Sequence, residues 1–303
     1  MKLIIDTDPG IDDAIAIALA HAMPQIDLIG MTAIFGNTFV EQSSRNARFL
    51  ADMLGMDVPV AEGAALPYGA TTYAPSDYVH GPEGLGDHTD IPQVGQNDPR
   101  PAAQFLCDMA RDYAGELTVC AIGPLTNIAD ALRLDPQFAT NLKSLVIMGG
   151  ALRHAGNVSD YAEANIYHDA AAADAVFASD LDMTMVGLDA TMKTLLTPAD
   201  FDELAARAPR VGGFIKHISE FYLGFYHSVG VTNGCPMHDA LAVLACSHPE
   251  NFTFEATGLT VPDTGAKLGA TLPDAARKPV AVAVDCDADW ATEFMKSQIA
   301  GLG

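Results

Sequence analysis

Apolar and polar positions follow two alternating rhythms along the chain. Short apolar runs, several rich in β-branched residues, often end in Gly or Asp: "KLIID" (2–6), "DLIGMTAIF" (27–35), "VPVAEG" (58–63), "LTVCAIG" (117–123), "LKSLVIMGG" (142–150), "MTMVGLD" (183–189) and "PVAVAVD" (279–285). Runs of this length predict strands buried on both faces. Between them, longer amphipathic stretches predict helices over 11–23, 38–54, 101–114, 124–134, 169–179, 198–228 with a break near Pro209, 237–246 and 288–300. Strand followed by helix, repeated, predicts a single α/β domain over 1–303, with a mostly parallel central sheet and helices on both faces. Ligands in such sheets bind beyond the carboxyl ends of the strands. Two regions break the rhythm. Residues 64–100, with many Gly, Pro, Tyr and Asp, predict a long ordered loop near a site, and 251–278 a small β insertion or hairpin.

Charge narrows the partners. Sixteen Lys plus Arg against 39 Asp plus Glu give a net charge of −23, a field that repels polyanions and argues against nucleic acid. A neutral small molecule or a cation is the expected partner. Five widely spaced cysteines without a CxxC pair, mostly inside apolar runs, predict buried free thiols in a reducing compartment. No apolar stretch reaches the ~18–20 residues of a membrane span, and no signal-like segment opens the chain, so a cytoplasmic protein is expected.

The densest chemistry lies in "LIIDTDPGIDDAIAIALA" (3–20), where Asp6, Asp8, Asp12 and Asp13 occupy the first strand-to-helix turn. One of them, Asp12, could cap the helix and complement its dipole. Four at one turn repel each other unless a cation compensates them. With no Cys or His in the turn, the donors are hard oxygens, which favour Ca²⁺ or Mg²⁺ over Zn²⁺. An EF-hand reading fails, because Ile17 stands where the bidentate Glu belongs. An aspartyl phosphatase loop is disfavoured by Pro9-Gly10 after Asp8, and neither Lys143 nor Lys193 sits in a phosphate loop. Further polar residues fall at predicted strand ends or helix starts: Asn37, the "CAIGPLTN" turn, Glu163 with Asn165 in a segment read as extended, and the His238–Asp239 pair. Tyr222 and Tyr226, four apart, share a helix face.

Taken in order, "DTDPGIDDA" (6–14), "FGN" (35–37), "HGPEGLGD" (80–87), "GPLTNIA" (123–129), "MGG" (148–150), "GNVSDYAEANI" (156–166) and "HDALA" (238–242) resemble the nucleoside hydrolases, the calcium-dependent, inosine-uridine-preferring N-ribohydrolases. The resemblance spans residues 3 to about 245, with the C-terminal strand and helix also in character. It implies hydrolysis of the N-glycosidic bond of ribonucleosides to ribose and free base. Asp8, Asp13, Asp239 and the backbone carbonyl of Ile122 would hold Ca²⁺, and Asp8 would also take the proton of a calcium-bound water. Asp12, Asn37, Asn157, Glu163 and Asn165, with the Met148 region, would grip the ribose, and Asp6 would support the turn. His238 would protonate the leaving base, His80 would contact it, and Tyr222 and Tyr226 would lie beside the base or relay a proton to His238. A homodimer or homotetramer is implied as well.

Two positions depart from the family pattern: Ala164 stands where Phe is usual, and Ala240 where Pro is usual. The first removes a large apolar surface near sugar or base. The only tryptophan, Trp290, lies in the C-terminal helix, and both His80 and His238 are present. A pyrimidine-preferring or broad inosine-uridine type is therefore expected. A calcium- or sugar-binding protein without catalysis would keep the metal ligands but give no reason for His238.

Overall fold

Strand β1 (Lys2–Thr7) lies in the interior of an eight-stranded sheet. The computed structural model describes all of residues 1–303. Strands β2 (Asp27–Ala33), β3 (Val60–Glu62), β4 (Leu117–Ala121), β5 (Ser144–Met148) and β6 (Met183–Val186) join it in the order β3-β2-β1-β4-β5-β6, followed by Val280–Cys286 and Phe252–Thr257. Every pairing is parallel except the last. The predicted α/β sheet is therefore what forms. Phe252–Thr257 corrects one expectation: part of the 251–278 region is the antiparallel edge of the main sheet, and only Leu259–Thr260 with Leu272–Pro273 makes a separate small ladder. Its alternating half-exposed side chains suit an edge, where one neighbour is missing.

The pleat divides the core. Leu3 and Ile5 enter one hydrophobic cluster and Ile4 the other; on β5, Val146 and Met148 part from Leu145 and Ile147 in the same way. Both faces of the sheet are thus covered, which is why the strands read as continuous apolar runs. Helix α1 (Ile11–Ala22) is buried along its first ten residues, and its alanines let it pack closely on helix His238–Ser247, itself Ala-rich. The break near Pro209 is present, separating helices Pro198–Arg207 and Val211–Ser228.

Chain order reverses at the β1–β4 neighbourhood: β2 and β3 follow β1 to one side, while β4, β5 and β6 lie on the other. That is the switch point where a crevice opens at the carboxyl ends of the strands. The turns after β1, β2, β4 and β5 all reach this rim, carrying Asp8, Asn37, Ile122 and Gly149.

Candidate active site

A cavity of about 350 Å³ opens at that rim. Asp12, Asn37, His80, Ile122, Met148, Asn157, Glu163, Asn165, Tyr222, Tyr226, His238 and Asp239 all line it, so residues from eight separate stretches of sequence meet at one place. Asp8 and Asp13 do not line it; both are fully buried beside it. No Lys or Arg lines the cavity. Lys143 lies at the start of β5, the opposite end of the sheet, and Lys193 pairs with Asp285.

The turn after β1 holds its carboxylates by different means. Asp13 accepts the Thr7 hydroxyl at 2.5 Å, the Gly10 N–H at 2.9 Å and the Asn37 side-chain amide at 3.1 Å. The helix cap is therefore made by Asp13, and Asp12 instead accepts the Tyr222 hydroxyl at 3.1 Å. Asp8 Oδ2 accepts the Asn37 N–H at 2.7 Å. Asp8 Oδ1 and Asp12 Oδ1 are buried without a partner. Asp6 lies apart from these, receiving Thr32 at 2.5 Å and Asn127 at 2.7 Å.

Carboxylate oxygens of Asp12, Asp13 and Asp239 come within 4.8 Å of one another. Burial, reinforced for Asp8, Asp12 and Asp239 by the neighbouring negative charges, raises all of these carboxyls: Asp12 to about 8, Asp8 and Asp239 well above the ordinary range, Asp13 upward despite its three donors. Burial alone pushes Asp6 up to about 7. Such a set is stable in ionised form only beside a cation, and the protein offers none. The orphaned oxygens and the all-oxygen donor set fit a divalent metal ion. Ile122 C=O, on the same rim, accepts Asn165 Nδ2 at 2.9 Å and keeps a second lone pair.

Glu163 and Asn165 reach the cavity by a route other than the extended segment expected. Residues Ala164–His168 form a short helix, and Glu163 is its N-cap, accepting from Asn165 N at 2.9 Å, Ile166 N at 3.1 Å and Gly150 N at 2.9 Å. Asn157 Oδ1 accepts Ala164 N at 3.0 Å, fixing the entry to this turn.

Across the cavity the polar groups are neutral. His238 Nδ1 is 2.7 Å from Thr191 Oγ1 and its Nε2 is 2.7 Å from the Tyr226 hydroxyl. Burial pushes His238 down to about 3. His80 Nδ1 accepts the Ile11 N–H at 3.2 Å, and burial with the other histidines nearby pushes it also to about 3. The remaining wall is apolar and includes Val79, Met192, Phe225, Val229 and Val231, with Tyr78 at the mouth. Thr191 and Thr32 fall in no motif of the sequence, whereas Thr7 and Asn127 lie inside "DTDPGIDDA" and "GPLTNIA", which do not state the atoms they meet. The five cysteines are free, three buried and two half-buried. No helix is long and apolar enough to cross a membrane.

A family model for inosine-uridine preferring nucleoside hydrolases matches residues 3–293. Uridine nucleosidase 1 of Arabidopsis thaliana is 37% identical, covering 98% of this chain and 93% of its own. The inosine-uridine preferring nucleoside hydrolase of Leishmania major is 36% identical over 95% of each chain. Among solved structures, a purine-preferring ribonucleoside hydrolase from Gardnerella vaginalis superposes with a TM-score of 0.96 at 34% identity, covering 100% of this chain and 99% of its own. Matches of this length take in every turn that supplies the cavity, and the chain belongs to the inosine-uridine preferring nucleoside hydrolase family.

Proposed function

We propose that this chain hydrolyses the N-glycosidic bond of ribonucleosides in the cavity at the β1–β4 switch point, with Ca²⁺ as its metal ion. One observation carries the reading: a single pocket joins uncompensated buried carboxylates on one side to a neutral His–Tyr–Thr hydrogen-bond chain on the other. Asp13 and Asp239, whose oxygens lie with one of Asp12 within 4.8 Å of one another, would hold the ion together with Asp8 and the Ile122 carbonyl. Several carboxylates plus a backbone carbonyl suit the larger, more flexible shell of Ca²⁺ better than Mg²⁺, which keeps most of its waters. A bound Ca²⁺ would offset the carboxylate charge and modestly acidify water at the site.

The chain's own residues then divide the reaction. Asp8 Oδ1, free of other partners, accepts the proton of the attacking water. Asp12, Asn37, Asn157, Glu163 and Asn165, with Met148, hold the ribose. Their anionic and amide oxygens stabilise the positive charge that grows on the sugar as the bond breaks, more than they stabilise the neutral nucleoside. The leaving base collects negative charge, and the His238–Tyr226 pair donates to it, with His80 and Tyr222 alongside. The proton that water gives to Asp8 balances the one the base takes.

For the base we propose a pyrimidine-preferring or broad type. Both histidines line the pocket, no tryptophan does, and Ala164 leaves space beside the sugar-binding turn. The protein would be a homo-oligomer acting in the cytoplasm. Incubation with uridine, cytidine, inosine and a phosphomonoester, with and without chelator, tests the reading by separate assays of reducing sugar, base and phosphate. Ribose release that chelator abolishes and Ca²⁺ restores is expected. Phosphate release without ribose would overturn it, and full turnover by Asp8→Asn would remove the assigned base.

A further inference from the structure

Asp8 is held from outside its own residue by one hydrogen bond, from the N–H of the Gly36–Asn37 peptide. The other end of that same peptide is also held. Gly36 C=O accepts the Tyr73 hydroxyl at 2.7 Å. Tyr73 comes from the long 64–100 segment, and its ring meets Phe35 edge-on with centroids 4.8 Å apart. The Tyr73 oxygen lies 3.2 Å from His168 Nδ1, their rings T-shaped at 5.5 Å. Neither Tyr73 nor His168 lines the cavity, and the reaction as assigned uses neither.

Proton accounting fixes the direction of this chain. A carbonyl only accepts, so the single hydroxyl proton of Tyr73 goes to Gly36, and Nδ1 of His168 must be the donor to the Tyr73 oxygen. Burial holds His168 near 4, so its ring carries one proton at neutral pH, and that proton sits on Nδ1. The order is then His168 to Tyr73, Tyr73 to Gly36 C=O, and Asn37 N–H to Asp8. The peptide needs such a hold. A Cβ at Gly36 would collide with the Asp8 carboxylate, so glycine is required there, and glycine restrains the following peptide less than a residue with a side chain would. A rotated peptide would turn a carbonyl toward the carboxylate in place of an N–H.

We propose that Tyr73, oriented by His168, is a positioning residue for Asp8, acting through the Gly36–Asn37 peptide. This rests on the assignment of Asp8 as the base. Tyr73→Phe keeps the ring on Phe35 and removes only the hydroxyl. Its kcat on uridine is expected to fall about tenfold, with KM within twofold of the parent, since the loss is of geometry at the reacting atoms. His168→Leu should show part of that loss and His168→Asn, whose amide can donate like Nδ1–H, should recover it. Tyr73→Phe combined with His168→Leu should be no slower than Tyr73→Phe alone, because His168 acts only through Tyr73. Independently of turnover, hydrogen exchange at the Asn37 amide should quicken about tenfold in Tyr73→Phe. Parental kcat together with parental Asn37 exchange would overturn the proposal, as would strictly multiplicative losses in the double variant. If the parent releases no ribose but Asn37 exchange still responds to Tyr73→Phe, the catalytic reading of Asp8 fails while the positioning stands.

Discussion

Asn127 satisfies two buried groups and one half-buried one at once, and its loss shows what a single residue carries here. Its amide donates to Asp6 at 2.7 Å and to Ala33 C=O at 3.1 Å, and its oxygen accepts Ala64 N at 2.9 Å. Asn127→Ala strands all three, and a stability loss of about 2–4 kcal/mol in urea unfolding is expected at neutral pH. Asn127→Asp should cost more at pH 8 than at pH 6. Its new carboxyl faces Asp6, so both are raised in the folded state; the native protein then binds more protons than the unfolded one, and stability falls as pH rises through the raised values. At His238 the effect should fall on the leaving group. His238→Ala is expected to slow uridine hydrolysis about a hundredfold, yet to spare a riboside that leaves as a stable phenolate anion, which needs no proton; equal losses on both would deny His238 its role. Residues in short contiguous motifs, Asp8 to Asp13 or His238 with Asp239, were legible because their spacing itself states a local geometry. The contacts of Asn127 and Thr191 were not: Asn127 lies in "GPLTNIA" but meets Asp6 across 121 positions, and Thr191, in no motif, meets His238 across 47.

At the scale of elements, the ends of β2 and β4 make the slot that Asp8 occupies. Gly36 follows β2 and Gly123 follows β4, and a Cβ on Gly123 would stand 2.6 Å from Asp8 Oδ1 and 2.8 Å from Ile34 Cγ2, so one of the two side chains must shift. Gly123→Ala should therefore displace Asp8 without touching the ribose side, lowering kcat by about a hundredfold. Ca²⁺ affinity measured by calorimetry should weaken in parallel; unchanged turnover would mean that Ile34 shifts instead. The elements that build this slot were the most readable part of the sequence, since strands covered on both faces must be apolar throughout and the helices between them long enough to show a period. Ala164–His168 and Leu188–Thr191, which bring Glu163, Asn165 and Thr191 to the rim, are five and four residues long and show no period to read. Phe252–Thr257 reads as part of a separate insertion because an edge strand next to a short ladder has the same pattern as a separate hairpin.

Across the whole molecule, a net charge of −23 coexists with five buried carboxylates gathered near one end of the sheet, Asp6, Asp8, Asp12, Asp13 and Asp239. Surface charge of one sign adds to their repulsion, so the ion-free protein must relieve it by taking up protons. Asp12 near 8 and Asp6 near 7 place that uptake between pH 8 and 6. Unfolded, the same groups titrate near 3.8, so in this window the native ion-free state binds more protons than the unfolded state and loses stability as pH rises. Bound Ca²⁺ would displace protons from Asp8, Asp13 and Asp239, which burial also raises, and lower Asp12 beside them, removing their part of the slope and leaving that of Asp6. His80, His168 and His238, held neutral, weaken both forms alike as pH falls below about 6.5 and cancel in the difference. The rise in melting temperature given by Ca²⁺ is therefore expected to be larger at pH 8 than at pH 6, on a scale of about 3 kcal/mol at a hundredfold excess over Kd. Calorimetric titration in two buffers of different ionisation enthalpy should count roughly one or more protons released per ion at pH 6.5. A stabilisation constant from pH 6 to 8, with no proton released, would mean that the carboxylates are already ionised without the metal and that the charge gathered at this rim is compensated some other way.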